Sequence, residues 1–124
     1  MNDKDKELLL RDLCGRLPYG VKCEWYRYRP DRELIHRGII ELGKNNKDTN
    51  IFDCWNKFKP YLFPLSSMTK EQSKIYHELI GGMFGTGVLI NLDCLIDFFN
   101  ENHLDLRGLI PLGLAIDATN KNIY

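Results

Sequence analysis

Neither sign of charge is in excess in this sequence. Its 124 residues carry 17 Lys and Arg against 17 Asp and Glu, for a formal net charge of zero. A protein that neutralises many phosphates is usually basic, so this balance argues mildly against a nucleic-acid-coating role. Long apolar runs are also missing. The longest uncharged stretch, Leu79 to Leu92, is shorter than the roughly 18 apolar residues of a membrane span, and it contains four glycines and Asn91. The four cysteines, Cys14, Cys23, Cys54 and Cys94, form no C-x-x-C pair and fit no zinc spacing. The opening Met1 to Lys6 alternates acid and base, and Leu8-Leu9-Leu10 is too short for a signal's hydrophobic region. The expectation is a cytoplasmic protein with four reduced, mostly buried cysteines, no metal, no cofactor and no membrane contact.

What is present suits one compact domain spanning residues 1–124. The composition is 44% hydrophobic, and a chain of this size buries about two-thirds of its unfolded surface without help from metals or disulfides. The charges are unevenly divided. Residues 1–62 hold 13 basic and 10 acidic residues, and residues 63–124 hold 4 and 7. Such a modest asymmetry fits a solvated surface before it fits a polar interface.

The most informative run is Lys59-Pro60-Tyr61-Leu62-Phe63-Pro64-Leu65-Ser66-Ser67-Met68-Thr69-Lys70-Glu71-Gln72. Pro60 and Pro64 exclude a helix interior or a central strand and push Lys59 and Phe63 toward extended backbone. Tyr61, Leu62, Phe63 and Leu65 are too apolar for a free loop, so the run reads as an extended connector laid across the core. Thr69 and Gln72 then form a capping box that opens a helix, a device worth roughly 1 kcal/mol. Ser66-Ser67 as a nucleophile or phosphate site is the weaker reading.

That run, with the later NHLDLRGLI (Asn102 to Ile110), GLAIDAT (Gly113 to Thr119) and the opening KDKELLLRDLCGRLPYGVKC (Lys4 to Cys23), resembles a family of small uncharacterised proteins of Bacteroides-type gut bacteria and their phages and prophages. The resemblance covers both ends and the middle of the chain. It is weakest over about 25–57 and 81–89. It implies a single compact domain in a phage or mobile-element context, and it carries over no catalytic residue.

Along the chain, residues 3–14 read as an amphipathic helix with Leu9, Leu10, Leu13 and Cys14 inward, Asp12 outward and Gly15 as its stop. Leu17 to Gly20 is a turn. Val21 to Tyr28 and Leu34 to Leu42 read as strands, with Gly38 as a bulge or close-approach point. Lys44 to Asn50 is a polar loop and the best candidate for mobility; Ile51 to Trp55 is a third strand or a helical turn. Helices are expected over Lys70 to Ile80, stopped by Gly81-Gly82, and over Leu92 to Asn102, where Leu92, Leu95, Ile96 and Phe99 give i, i+3, i+4, i+7 spacing. Short strands are expected at Val88 to Asn91 and Leu114 to Ala118. The fold class is α+β: a small, mostly antiparallel sheet with about three packed helices.

The chemistry-bearing residues do not assemble into a known motif. Gly81 to Gly87 matches neither phosphate-binding glycine pattern, and a helix cap plus hairpin accounts for its glycines. His36, His77 and His103 lack metal-ligand spacing, and His103 suits the carbonyls at a helix end. Asp93, Asp97, Glu101 and Asp105 recur every four residues and read as a solvated helix face. Trp25-Tyr26-Arg27-Tyr28-Arg29 is the surface-suggestive stretch, because aromatics interleaved with arginine can stack on bases or anchor a protein contact. Strand alternation places Trp25, Arg27 and Arg29 on one face, our candidate binding residues. The bland alternative turns Tyr26 and Tyr28 to the core and the arginines to water over Trp25.

Three functional readings follow. The first is a non-enzymatic interaction module of a phage or mobile element with a protein partner. The second is a nucleic-acid-binding accessory protein using the basic-aromatic strand. The third is a Cys- or His-dependent hydrolase.

Overall fold

The computed structural model describes residues 2–43, 56–83 and 88–124. Among them are three α-helices and one four-stranded sheet: α1 (Asp3–Arg16), β1 (Val21–Tyr28), β2 (Leu34–Leu42), β3 (Asn56–Leu62), α2 (Lys70–Met83), α3 (Val88–Glu101) and β4 (Ile116–Asp117). Short 3-10 turns lie at Leu17–Tyr19 and Leu65–Ser67. The architecture is α+β, as the sequence implies. The strand order is β2-β1-β3-β4, with β1 antiparallel to β2 and β3, and β3 parallel to β4. The expected mobile loop (Lys44 to Asn50), the segment Ile51 to Trp55 and the glycines Gly85 and Gly87 lie outside the described residues.

The proline run departs from expectation. Its first half is not a bare connector but the end of β3, and Pro60 sits inside that strand, paired with Cys23. Proline is tolerated because of where it falls. Cys23↔Pro60 is the last β1 pair, and the β4 ladder begins only at Tyr61↔Ile116, so the missing N–H meets the end of one ladder and precedes the other. Beyond it, Phe63 N–H donates to His103 O at 2.8 Å and Phe63 O accepts from Asp105 N–H at 2.9 Å. The capping box forms as read: Gln72 N–H donates to Thr69 Oγ1 at 3.1 Å, and Thr69 N–H donates to Gln72 Oε1 at 3.0 Å.

Other boundaries shift for identifiable reasons. Gly15 does not stop α1; the helix ends at Arg16, runs into the 3-10 turn, and reverses at Gly20 with φ 77°. A Cβ at Gly15 would meet Asn100 Nδ2 of α3 at an ordinary 3.5 Å. Gly38 pairs in register with Trp25, and the irregularity falls instead between Arg27 and Tyr28. Gly81 and Gly82 lie within α2, since a glycine weakens a helix by about 1 kcal/mol without obliging it to end. Val88 to Asn91 is helical rather than extended, because the apolar period of Leu92, Leu95 and Phe99 runs back through Val88 and outweighs β-branched propensity. The last strand shrinks to Ile116–Asp117.

Two apolar cores result among the described residues. The first packs Leu9 and Leu13 of α1 against Val21, Cys23, Leu42, Phe58 and Leu62 of the sheet, closed by Leu109, Leu114 and Ala115. The second gathers Phe98, Phe99 and Leu104 with Phe63, Met68, Tyr76, Leu79, Leu95 and Leu106 between α2 and α3. The inward face of α1 is Leu9, Asp12, Leu13 and Arg16, at i, i+3, i+4, i+7. Asp12, expected in water, is fully buried, as is Arg16. The Arg16 guanidinium bonds both Asp12 carboxylate oxygens, at 2.7 and 3.0 Å, and donates to Leu104 O at 2.6 Å and, more weakly, to Phe99 O at 3.5 Å. Arg107 reaches the same carboxylate at 3.0 Å. The two carbonyls lie at and just past the C-terminal end of α3, where orphan acceptors need donors. One buried arginine thus joins the two cores.

Asp105, expected on a solvated helix stripe, is buried as well. Its two oxygens accept from Leu109 N–H at 2.7 Å and Ile110 N–H at 2.9 Å, holding the loop that carries Leu109 into the first core. The cysteines also differ from expectation: all described ones are free, but only Cys23 is buried, while Cys14 and Cys94 are exposed.

Removing Arg16 strands a buried carboxylate. Arg16→Met is expected to cost about 3–5 kcal/mol in urea unfolding. A loss below about 1 kcal/mol would show that the clamp carries little.

Candidate functional site

Strand β1 divides its side chains cleanly between the two faces of the sheet. Val21 and Cys23 are fully buried under α1, and Trp25, next in phase, packs against the same core. Lys22, Glu24, Tyr26 and Tyr28 therefore project from the opposite face. This reverses the bland reading of the sequence, in which the tyrosines face the core. The signal was present: Val21, Cys23 and Trp25 form an apolar odd-numbered set against an even-numbered set that includes Lys22 and Glu24.

Of the sequence-derived candidates, Trp25 and Arg27 share the α1-side phase. Arg29 lies past the strand in the hairpin turn, where its side chain meets Glu33 at 3.5 Å and its N–H donates to Glu33 O at 2.8 Å. The structure therefore does not gather the three into one patch.

It does assemble another set. Across the outer face, cross-strand neighbours form rows: Ile39, Glu24 and Lys59; then Arg37, Tyr26 and Lys57; then Leu34 and Tyr28. Tyr26 thus lies between two cations. The Arg37 guanidinium sits 5.5 Å from the Tyr26 ring centre, and the Lys57 ammonium reaches diagonally to 5.1 Å from that of Tyr28. Arg37 also binds Glu24 at 2.7 Å. Arg37, Ile39 (59% exposed), Leu34 and Lys57 are open to solvent, while Tyr26, Tyr28 and Lys59 are half-buried.

The electrostatics fit this packing. A hydrogen bond from Tyr26 and the charge of Arg37 hold the Glu24 carboxyl below the usual glutamate range. Partial burial, then the bond to Glu24, push the Tyr26 phenol up to about 12. Glu24 raises the Arg37 guanidinium further. At the centre of the face the Glu24 carboxylate is thus engaged by Arg37 and Tyr26; a second carboxylate, Glu41, stands on the same side opposite Lys22.

One end of this face is fastened by Tyr124. Its hydroxyl accepts from Lys22 N–H at 2.8 Å and donates to Tyr61 O at 2.9 Å, tying β1 to β3. Its ring stacks on His103 at 3.6 Å between centres. His103 adopts φ 57° just past α3, so its backbone, through an N–H to Asn100 O at 3.3 Å, helps end the helix while its ring serves the Tyr124 contact. The buried Cys23 thiol is pushed up by desolvation and by Asp12, which makes it a poor nucleophile. Among the described residues no group of three His, Cys, Asp or Glu side chains could hold a metal ion.

The lowered Glu24 carboxyl has a pH consequence. Its stabilising contribution is complete above the ordinary glutamate range, near 4.3, and is lost as pH falls through the lowered folded value. The stability gap between wild type and Glu24→Gln, measured by urea unfolding across a pH series, should be constant near neutrality and close in acid. A gap independent of pH would contradict the Glu24 pairing.

No protein-family model matches the chain, and neither a curated protein nor a solved structure matches it significantly.

Proposed function

We propose that this chain is a non-enzymatic binding module that engages a macromolecular partner through the outer face of its sheet. The observation that supports the reading is the row Arg37, Tyr26 and Lys57, bordered by Tyr28, Leu34 and Ile39. Aromatic rings with cations beside them, on a rigid strand, are the residue types that anchor interfaces. Ile39 and Leu34 add apolar area at the margin. The phage or mobile-element setting implied by the sequence resemblance, and action in the cytoplasm, belong to the same proposal. No helix among the described residues is long and apolar enough to cross a membrane.

Site-specific photo-cross-linking in the bacterial host tests this directly. A photoreactive phenylalanine replaces Tyr26 in one variant and Glu7, exposed on α1, in another. A discrete high-mass adduct from position 26 and not from position 7 is expected. Equal adducts from both positions, or none from position 26, would contradict a working surface on the sheet.

A further inference from the structure

We infer that the ligand of the sheet face is single-stranded nucleic acid, with bases stacked on Tyr26 and Tyr28 and phosphates held by Lys57 and Lys59. The inference rests on the proposed binding face and adds the chemistry of its partner.

Three observations carry it. First, the two rings stand at alternate positions of one strand, about 7 Å apart along it. Both are half-buried, so each leaves part of its side chain open on the same side of the strand, in the line that a track for successive bases requires. Base–aromatic stacking tolerates any sequence because every base has a π-face. Second, the cations lie on both flanks of that line, Arg37 on β2 and Lys57 and Lys59 on β3. A strand running along β1 would place its backbone within reach of the lysines on β3. Third, the lysines hold charge in reserve. Among the described residues, neither Lys57 nor Lys59 takes part in an ion pair within 4.0 Å. Lys57 instead rests beside the Tyr28 ring, a contact it can exchange for a phosphate when a base takes that place.

The zero net charge of the chain does not oppose this. The first half carries the positive surplus, with 13 basic against 10 acidic residues over 1–62. Glu24, the acid in the middle of the face, is occupied by Arg37 and Tyr26. An open sheet face suits a splayed single strand better than a duplex, whose bases are hidden from stacking.

The test uses the full chain and fluorescent 15-nucleotide oligo-dT and oligo-U, with a 15-base-pair duplex as control. Binding at about 50 mM salt is expected for the single strands, weaker for the duplex. With two phosphates neutralised, log affinity should fall against log salt with a slope of about −1.4. Tyr28→Ala should weaken binding about tenfold. Lys57→Gln with Lys59→Gln, both outside the core, should remove nearly all of that slope, about 1.4. Circular dichroism confirms that each variant is folded.

No binding of either single strand at low salt overturns the inference, as does equal binding of the duplex or a folded Tyr28→Ala that binds as wild type. The photo-adduct separates the two proposals. A nuclease-sensitive adduct at position 26 supports single-stranded nucleic acid. A protease-sensitive, nuclease-resistant one refutes it and leaves the binding face standing.

Discussion

The fold depends on one buried arginine. Arg16 sits at the last position of α1, and its charge is balanced within the same helix by Asp12, four residues back. That geometry leaves guanidinium donors to spare, and they go to Leu104 O and Phe99 O at the end of α3. Burying an ion pair costs desolvation that its own attraction only roughly offsets. The pair is better understood as a joint than as a source of net stability. It satisfies carbonyls that α3 leaves open and fixes the α2–α3 unit against the α1–sheet unit in one arrangement. Arg107 adds a second donor from the following loop.

The same seam gathers the segments on which the sequence resemblance rests. The proline run supplies Phe63, whose backbone is gripped by the chain at His103 and Asp105. The NHLDLRGLI segment begins in the second core with Leu104 and ends in the first with Leu109, folded between them by Asp105. GLAIDAT pairs with Tyr61 and Leu62 through β4, and Ala118 N–H donates to Leu62 O at 2.8 Å. The opening segment brings Asp12 and Arg16. These motifs are thus parts of one structural joint, while the outer sheet face is built from Glu24, Tyr26, Tyr28, Arg37, Lys57 and Lys59, all but Lys59 outside those segments. Architecture and proposed recognition occupy different residues.

Much of this was legible in the sequence. Strands β1 and β2, the start of α2 with its capping box, and the α+β class all follow from local pattern and turn chemistry. What failed did so because tertiary partners outweighed local preference. Pro60 was read as a strand breaker, yet it falls where one ladder ends before the next begins. Asp12 reads as solvated because it is charged, although with Arg16 it continues the Leu9 and Leu13 stripe at helical spacing. Asp105 matched a four-residue acidic period but lies in the loop after the helix. The inward phase of β1 is where the sequence misleads: Trp25 is the largest ring, but Val21 and Cys23 set the inward phase, which leaves the tyrosines outward.

The central claim is that Arg16 makes the two cores unfold as one. Native-state hydrogen exchange measures this most directly, by comparing the slowest amides of β1 (Val21–Tyr28) with those of α3 near Phe98 and Phe99. In the wild-type protein both sets should open with the same free energy and the same denaturant dependence. In Arg16→Met the α3 set should open at lower free energy than the β1 set. If the two sets already differ in wild type, or still coincide after the substitution, the coupling does not lie in Arg16 and the account fails.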